Sequence, residues 1–357
     1  MAILRKIYLL LLISALAMSL TSCYQDFEPD IESVPVLCMN SEITPGDSIN
    51  LFLTRTWRWS EGNEYKIDVE VRDAEVRLIV NGKYEETLMP TTIHTGKGFG
   101  YPYQEERECY QSRYRPKSGD EIRIEASSPR YGEAFAEVKV PYPVPIDRVE
   151  PEIQSFIALG DTTGFPAVAE RCEYILRFKL LTYFTDPADS VNYYDFSVGT
   201  SAHSNYDNEA SAFLSSVNPI FSGDPIFTEH VSVLESAIAE TSGYTIFSDR
   251  QINGRTYPLR IGFEDFSFYY FNPLDLEGPK EYGFKVSLRH IDSTYYKHVI
   301  SLWEANDAIV GSLGGVGLAP PVYSYSNVST GAGVVAAYAV STYTLPIVDI
   351  IRIAEQK

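Results

Sequence analysis

The side chains that could carry chemistry are scattered. Five histidines, His94, His203, His230, His290 and His298, include no H-E-x-x-H pair, so the sequence offers no metalloprotease site. No G-x-S-x-G nucleophile elbow is present, although a triad assembled from distant residues would leave no such trace. Gly96-Lys97-Gly98-Phe99-Gly100 lacks the strand and helix that a phosphate-cradling loop needs, and reads as an ordinary loop. Asp186 with Asp189, and Asp207-Asn208-Glu209, offer hard oxygens for calcium but follow no alternating ligand template, so solvated turns are expected there. Paired acids are frequent in a chain with 48 of them, so proximity in sequence alone does not indicate a glycosidase dyad. Cys38, Cys109 and Cys172 show no C-x-x-C spacing, which argues against zinc. A Cys38–Cys109 disulfide is the expected bridge if the chain is exported, the alternative being three buried thiols. Trp57 and Trp59 lie two apart, hence on one strand face, either as a flat platform for a sugar or partner or as core packing or a sandwich edge. Ala308 to Ala319, with Val316 near its middle, has no charge and four glycines. It is either a docking loop for another membrane protein or a lid on a sheet.

The N-terminus states where such a body resides. Arg5 and Lys6 precede a largely apolar run, Ile7 to Leu20, too short to span a bilayer as a helix and followed at once by small residues. Leu20-Thr21-Ser22-Cys23 resembles the lipobox of bacterial lipoproteins, which makes residues 1–22 a signal peptide and the Cys23 thiol the acceptor of a diacylglycerol. Two or more acyl chains hold a folded body firmly, at about 0.8 kcal/mol per buried methylene. Tyr24-Gln25-Asp26-Phe27-Glu28-Pro29-Asp30 resembles the acidic export tag that sends lipoproteins of Bacteroidota to the outer face of the outer membrane. The same composition also suits a solvated tether over 23–33.

Charge and composition narrow the remainder. Of 357 residues 45% are hydrophobic and 22% charged, enough apolar surface for a large core. The formal charge is −19, and loss of Arg5 and Lys6 leaves 27 basic against 48 acidic residues, a field that repels phosphate backbones. Nucleic acid is therefore not an expected partner.

The elements that must position any site are strands. Ile49, Leu51 and Leu53 alternate, as do Val76, Leu78 and Val80 ahead of an Asn81-Gly82 hairpin turn. Ile122, Ile124 and Ala126 follow, then Ala134, Ala136, Val138 and Val140. Val34, Val36 and Cys38 would share one face of an opening strand. This spacing predicts an immunoglobulin-like β-sandwich over 34–140, without the Cys to Trp to Cys pattern of antibody domains. Residues 141–145 read as a proline-rich linker, and 146–357 as a larger antiparallel β-rich domain with one or two short helices. In that domain Tyr174 to Leu180 and Tyr193 to Val198 are expected to pair across the Asp186 turn. Phe266 to Phe271 reads as a buried strand. Glu229 to Glu240 is expected as a helix, and Ser293 as the cap of another whose stripe is Tyr296, Val299, Ile300 and Trp303.

Several of these pieces, in this order, resemble one family. They are the Pro45-Gly46-Asp47 turn, Ser118-Gly119-Asp120, Val144-Pro145-Ile146-Asp147, Phe247-Ser248-Asp249, Asn253-Gly254 with Tyr257, and Tyr295-Tyr296. Val322-Tyr323-Ser324, Ser326-Asn327-Val328 and Gly331-Ala332-Gly333 complete the series. The family is the Bacteroidota outer-membrane lipoprotein group of domain of unknown function 4249. Here Val334-Val335 stands where an aromatic usually follows the last glycine. The resemblance implies an outer-membrane lipoprotein facing the cell exterior and often encoded near TonB-dependent transporters. It assigns no catalytic residue and no cofactor beyond the lipid on Cys23. The expected function is thus a non-enzymatic accessory or binding partner of a TonB-dependent nutrient transporter, with an adhesin or envelope scaffold, and then a secreted hydrolase, as alternatives.

Overall fold

The period-two segments form strands wherever a turn residue releases the chain. In the computed structural model the described residues are 34–57, 68–95, 105–159, 172–188, 190–201, 213–214, 220, 224–228, 245–270, 283–306 and 323–356. The first strands are β1 (Leu37–Ile43), β2 (Asn50–Arg55), β3 (Glu75–Val80), β4 (Lys83–Thr87), β5 (Met89–Thr95), β6 (Glu105–Gln111), β7 (Glu121–Ser128) and β8 (Gly132–Lys139). There follow β9 (Ile146–Leu159), β10 (Cys172–Thr185), β11 (Tyr193–Ser201), β12 (Phe213–Leu214), β13 (Ile246–Ser248), β14 (Thr256–Tyr270), β15 (Gly283–Ile291) and β16 (Ala332–Pro346). Among the described residues two α-helices, α1 (Ser293–Asn306) and α2 (Ile347–Glu355), and two short 3-10 turns complete the list. The protein is mainly β, and its sheets are antiparallel except where β1 and β16 run parallel.

One eight-stranded sheet, in the order β13-β11-β15-β16-β1-β2-β6-β5, backs two four-stranded sheets, β4-β3-β7-β8 and β12-β14-β10-β9. Leu37, Met39, Leu51 and Leu53 meet Val76, Leu78, Ile122, Ile124 and Ala136 in a first core, which gives the N-terminal part its sandwich. Phe196, Phe284, Val286 and Leu288 meet Leu176, Phe178, Leu180, Leu259 and Ile261 in a second core, closed by Ile347, Ile350 and Ile351 of α2. Strand β16 serves both. Because alternate residues share a face, Val335 and Ala337 enter the first core while Leu345, further along the same face, enters the second. The 141–145 stretch lies between the segments that supply the two cores. Tyr142 there offers its carbonyl to His290 Nδ1 at 2.7 Å, and its hydroxyl lies over Gly119. Residues Pro35–Lys357 form one compact unit.

The Asn81-Gly82 turn has positive φ at both residues, 51° and 75°, as a tight hairpin requires. Other expectations are corrected. The opening strand begins at Leu37 and buries the odd residues, so Val34 is 77% exposed and Cys38 lies on the outer face. β10 and β11 do not pair with each other: β10 lies between β9 and β14, β11 between β13 and β15. Their aromatic faces meet across the core instead, with Phe184 and Tyr194 rings 5.3 Å apart. Both rings are buried in the second core, where such burial contributes to stability. Helix α1 is capped by Asp292, one residue before the expected Ser293, through Thr294 N at 2.8 Å and Tyr295 N at 3.2 Å. Its stripe residues Tyr296, Val299, Ile300 and Trp303 are only half-buried. Phe266 to Tyr270 lies in β14. The helix expected over 229–240, the 96–100 loop and the 308–319 segment fall outside the described residues.

Candidate functional site

The acids and glycines that stand out in the sequence hold the chain to itself. Buried Asp120 accepts from Tyr114 Oη at 2.7 Å, Lys117 N at 2.8 Å and Asn81 Nδ2 at 3.0 Å, which closes the Ser118-Gly119-Asp120 turn against the β3–β4 hairpin. Buried Asp186 accepts from Tyr194 Oη, from Gly254 N at 2.9 Å and from Asn192 Nδ2 at 3.3 Å. Fully buried Asp224 accepts from Tyr257 Oη at 2.6 Å, Arg260 N at 2.8 Å and Ile226 N at 3.1 Å. Asp249 accepts Asn192 N at 2.8 Å, and Asn192 O receives Asp249 N at 3.0 Å. In each case a buried carboxylate is satisfied by amides and, in three of the four, by a tyrosine hydroxyl. Hydrogen bonds to a charged group are worth about 1.5–3 kcal/mol each.

These contacts leave marks on the acidities. For Asp120 burial raises the pKa, but donation from Tyr114, Lys117 and Asn81 outweighs it and holds the carboxyl below its ordinary 3.8. Tyr114 is correspondingly pushed up to about 12 by its hydrogen bond to Asp120. Asp249 is raised, chiefly by burial. Among the described residues no group of three or more His, Cys, Asp or Glu could hold a metal ion. Asp186, considered above for calcium, is occupied as an acceptor within the fold, and Asp189 lies outside the described residues.

The late motifs act in the same way. The Asn327 side chain stands in for a strand, receiving Val335 N at 3.0 Å and donating to Val335 O at 2.8 Å. Ser329 exchanges backbone bonds with Phe135, which covers the β8 edge. Gly333 has φ +96°, and an added Cβ would strike the Met39 carbonyl oxygen, so glycine there is what lets β16 lie beside β1.

Of the residues singled out for binding, Cys23, Trp59 and Val316 lie outside the described residues. Cys38 and Cys109 are free thiols, and the bridge between them is corrected. Strand β2 runs between β1 and β6, so the two cysteines sit two strand spacings apart, about 9–10 Å, beyond the roughly 7 Å that a disulfide tolerates. Trp57 is 44% exposed at the end of β2 rather than in a core. It follows Thr56, whose N donates to Val36 O at 3.0 Å while Thr56 Oγ1 accepts Val36 N at 3.0 Å. Trp57 therefore stands where the chain enters the folded unit.

Beside it is a cleft that the sequence does not reveal. Strand β2 pairs with β6 only at Asn50↔Gln111 and Leu51↔Tyr110. Further along, its partner is the 69–71 segment, through Val71 N→Leu53 O at 3.1 Å, Arg55 N→Val69 O at 2.9 Å and the Thr54↔Glu70 bridge. The divergence opens a fork of about 330 Å³, with Leu53, Glu70, Val71 and Arg72 on one side, Glu108, Cys109 and Tyr110 on the other, and Pro90–Thr92 of β5 alongside. Tyr110 Oη ties the fork at its base, donating to Val71 O at 3.0 Å and accepting Ala74 N at 3.2 Å. Arg72 spans the opening to Glu108 at 2.6 Å and to Asp68 at 2.8 Å. The Glu70 carboxyl is half-buried, and burial followed by the charge of Glu108 raises its pKa against the opposing pull of Arg72 and Arg107.

The arrangement defines a class: a β-protein of two cores on one shared sheet, whose conspicuous motif side chains are committed to the fold. Residues 24–344 match the family described as domain of unknown function (DUF4249), and the chain belongs to that family. No curated protein and no solved structure matches it. Among the described residues no helix is long and apolar enough to cross a membrane.

Proposed function

We propose that the protein is a lipoprotein held by Cys23 in the outer membrane, displayed on the cell exterior, and that it serves a TonB-dependent nutrient transporter as a non-enzymatic accessory or binding partner. The observation that carries this reading is Leu20-Thr21-Ser22-Cys23 at the end of an apolar export run, a dozen residues ahead of one compact folded unit. The acidic stretch after Cys23 supports display on the outer face, and the net charge of −19 speaks against nucleic acid. The non-enzymatic part is supported by the use of Asp120, Asp186, Asp224 and Asp249, with Tyr114, Tyr194 and Tyr257, as acceptors and donors within the fold. No cofactor beyond the lipid enters this account.

Deletion of the gene should lower uptake of one nutrient while transporter abundance stays constant, and the lipidated protein should co-purify with a transporter from solubilised membranes. Binding to host or envelope macromolecules with unchanged uptake would assign the protein instead as an adhesin or scaffold. Turnover of a substrate, lost on mutation of one acid, would make it a hydrolase.

A further inference from the structure

We propose that Asn253 is a site of spontaneous deamidation in the folded protein, through a succinimide formed with Gly254, and that the fold protects Asn81, which stands in nearly the same local sequence. The inference goes beyond the function proposed above and does not depend on the lipid anchor.

The chain contains two Asn-Gly dipeptides, in Val80-Asn81-Gly82-Lys83 and in Ile252-Asn253-Gly254-Arg255. Glycine after asparagine leaves the peptide nitrogen unhindered, because no Cβ screens it. Each asparagine follows a β-branched residue and each glycine precedes a cation, so the unfolded chain treats the two alike. Structure alone separates them.

Asn81 is held at both ends of its side chain. Its Nδ2 donates to Asp120 Oδ1 at 3.0 Å, its Oδ1 accepts Glu121 N at 2.9 Å, and its own N donates to Glu121 O at 2.8 Å. Bringing its Cγ onto Gly82 N would withdraw a donor from the buried Asp120 carboxylate and part the hairpin turn from β7. Asn253 is exposed, and among the described residues its amide meets no partner. It sits in a surface turn closed by Arg255 N→Ile252 O at 2.9 Å, with Gly254 at φ +68° and Gly254 N donating to Asp186 at 2.9 Å. The turn lies ahead of β14, outside the strand ladders, so local opening is enough to free the nucleophile.

The reaction needs water and no cofactor. Gly254 N attacks Asn253 Cγ: the N–Cγ bond forms, the Cγ–Nδ2 bond breaks, and the proton of Gly254 N leaves with Nδ2 as ammonia. Water then opens the ring at Cγ to give aspartate, or at the backbone carbonyl carbon to give isoaspartate. The iso-linked chain runs through Cβ and Cγ and so carries an extra backbone atom ahead of Gly254 N, which moves that donor away from Asp186. Because Asp186 also serves Tyr194 and Asn192, ageing of an exposed turn reaches the second core.

The test incubates the full purified chain in mildly alkaline buffer made with heavy-oxygen water, native and in urea, and follows both peptides by mass spectrometry. Solvent oxygen marks the deamidation that occurs during incubation, and electron-transfer fragmentation separates isoaspartate from aspartate. In urea the two peptides should gain label at similar rates. In the native protein Asn253 should gain it at least about tenfold faster than Asn81, the ratio expected when one site must also break a hydrogen bond to a charged group. Asn253→Gln should abolish label in its own peptide and leave Asn81 unchanged, and the isoaspartate fraction should unfold at a lower urea midpoint than fresh protein. Equal native rates at the two sites, a faster Asn81, or no gain at Asn253 while the urea sample is fully converted overturns the site assignment. An isoaspartate fraction with the midpoint of fresh protein overturns its link to Asp186.

Discussion

Tyr194 is fully buried and donates to Asp186, and burial followed by that hydrogen bond drives its own pKa far upward. Removing the hydroxyl in Tyr194→Phe keeps the ring in the core but withdraws one donor from a buried carboxylate. Stability should fall by about 1.5–3 kcal/mol, read as a lower urea midpoint with an unchanged slope. Asp120 makes a pH-dependent contribution of definite sign. Its folded pKa lies below 3.8, so it binds its proton more readily when unfolded, and the stabilisation it gives is complete above pH 3.8. That stabilisation is lost as pH falls through the folded value. Asp249, raised by burial, acts in the opposite sense, costing stability as pH rises from 3.8 through its folded value. In Asp120→Asn the acid loss of stability between pH 5 and 2 should therefore be shallower than in the native chain, as followed by circular dichroism. At this scale the sequence exposes the acids and glycines but not their partners. Gly254 meets Asp186 from 68 residues away, and nothing local separates Glu70 from the other acids.

Strands are legible where one face is buried, because the alternation is a direct imprint of that face. Ile49, Leu51 and Leu53, and Ile122, Ile124 and Ala126, are all buried as their spacing demands. Pairing is less legible, since it depends on which layer a strand joins. Tyr193 to Val198 looks like the return of a hairpin, yet it belongs to the opposite sheet from β10, and the Phe184 and Tyr194 rings face each other across the core. The fork of β2 escapes sequence reading for the same reason: it arises where two partners share one strand, and each partner alternates normally by itself. The Gly331-Ala332-Gly333 motif is readable as a backbone requirement but not as a contact between the two ends of the chain. Gly333→Ala should cost at least about 2 kcal/mol, from positive φ together with the approach of Met39. Chemical denaturation gives the value directly, and a loss below about 0.5 kcal/mol would show that β1 and β16 can separate without consequence.

For the molecule as a whole, β16 makes the two cores interdependent. Val328, Val335 and Ala337 complete the first core although they lie beyond residue 320, and β1 has β16 as one of its two neighbours. A fragment of residues 34–145 should therefore expose β1 and aggregate or melt well below the full chain, while the full unit should unfold in one transition that agrees between calorimetry and circular dichroism. The composition made a large β-rich body legible, while the 141–145 stretch lies inside one compact unit, Pro35–Lys357, with Val144 buried in the second core. The late return of the chain into the first core left no local trace, since Ala336 and Ala337 are compatible with many environments. How this body is held decides its role. Expressed in its native host and extracted with a phase-separating detergent, the protein should enter the detergent phase. Its N-terminal peptide should begin at Cys23 and carry the mass of a diacylglycerol with further acylation, and Cys23→Ser should move the protein to the aqueous phase. An unmodified N-terminus on aqueous-phase protein would rule out the lipid anchor.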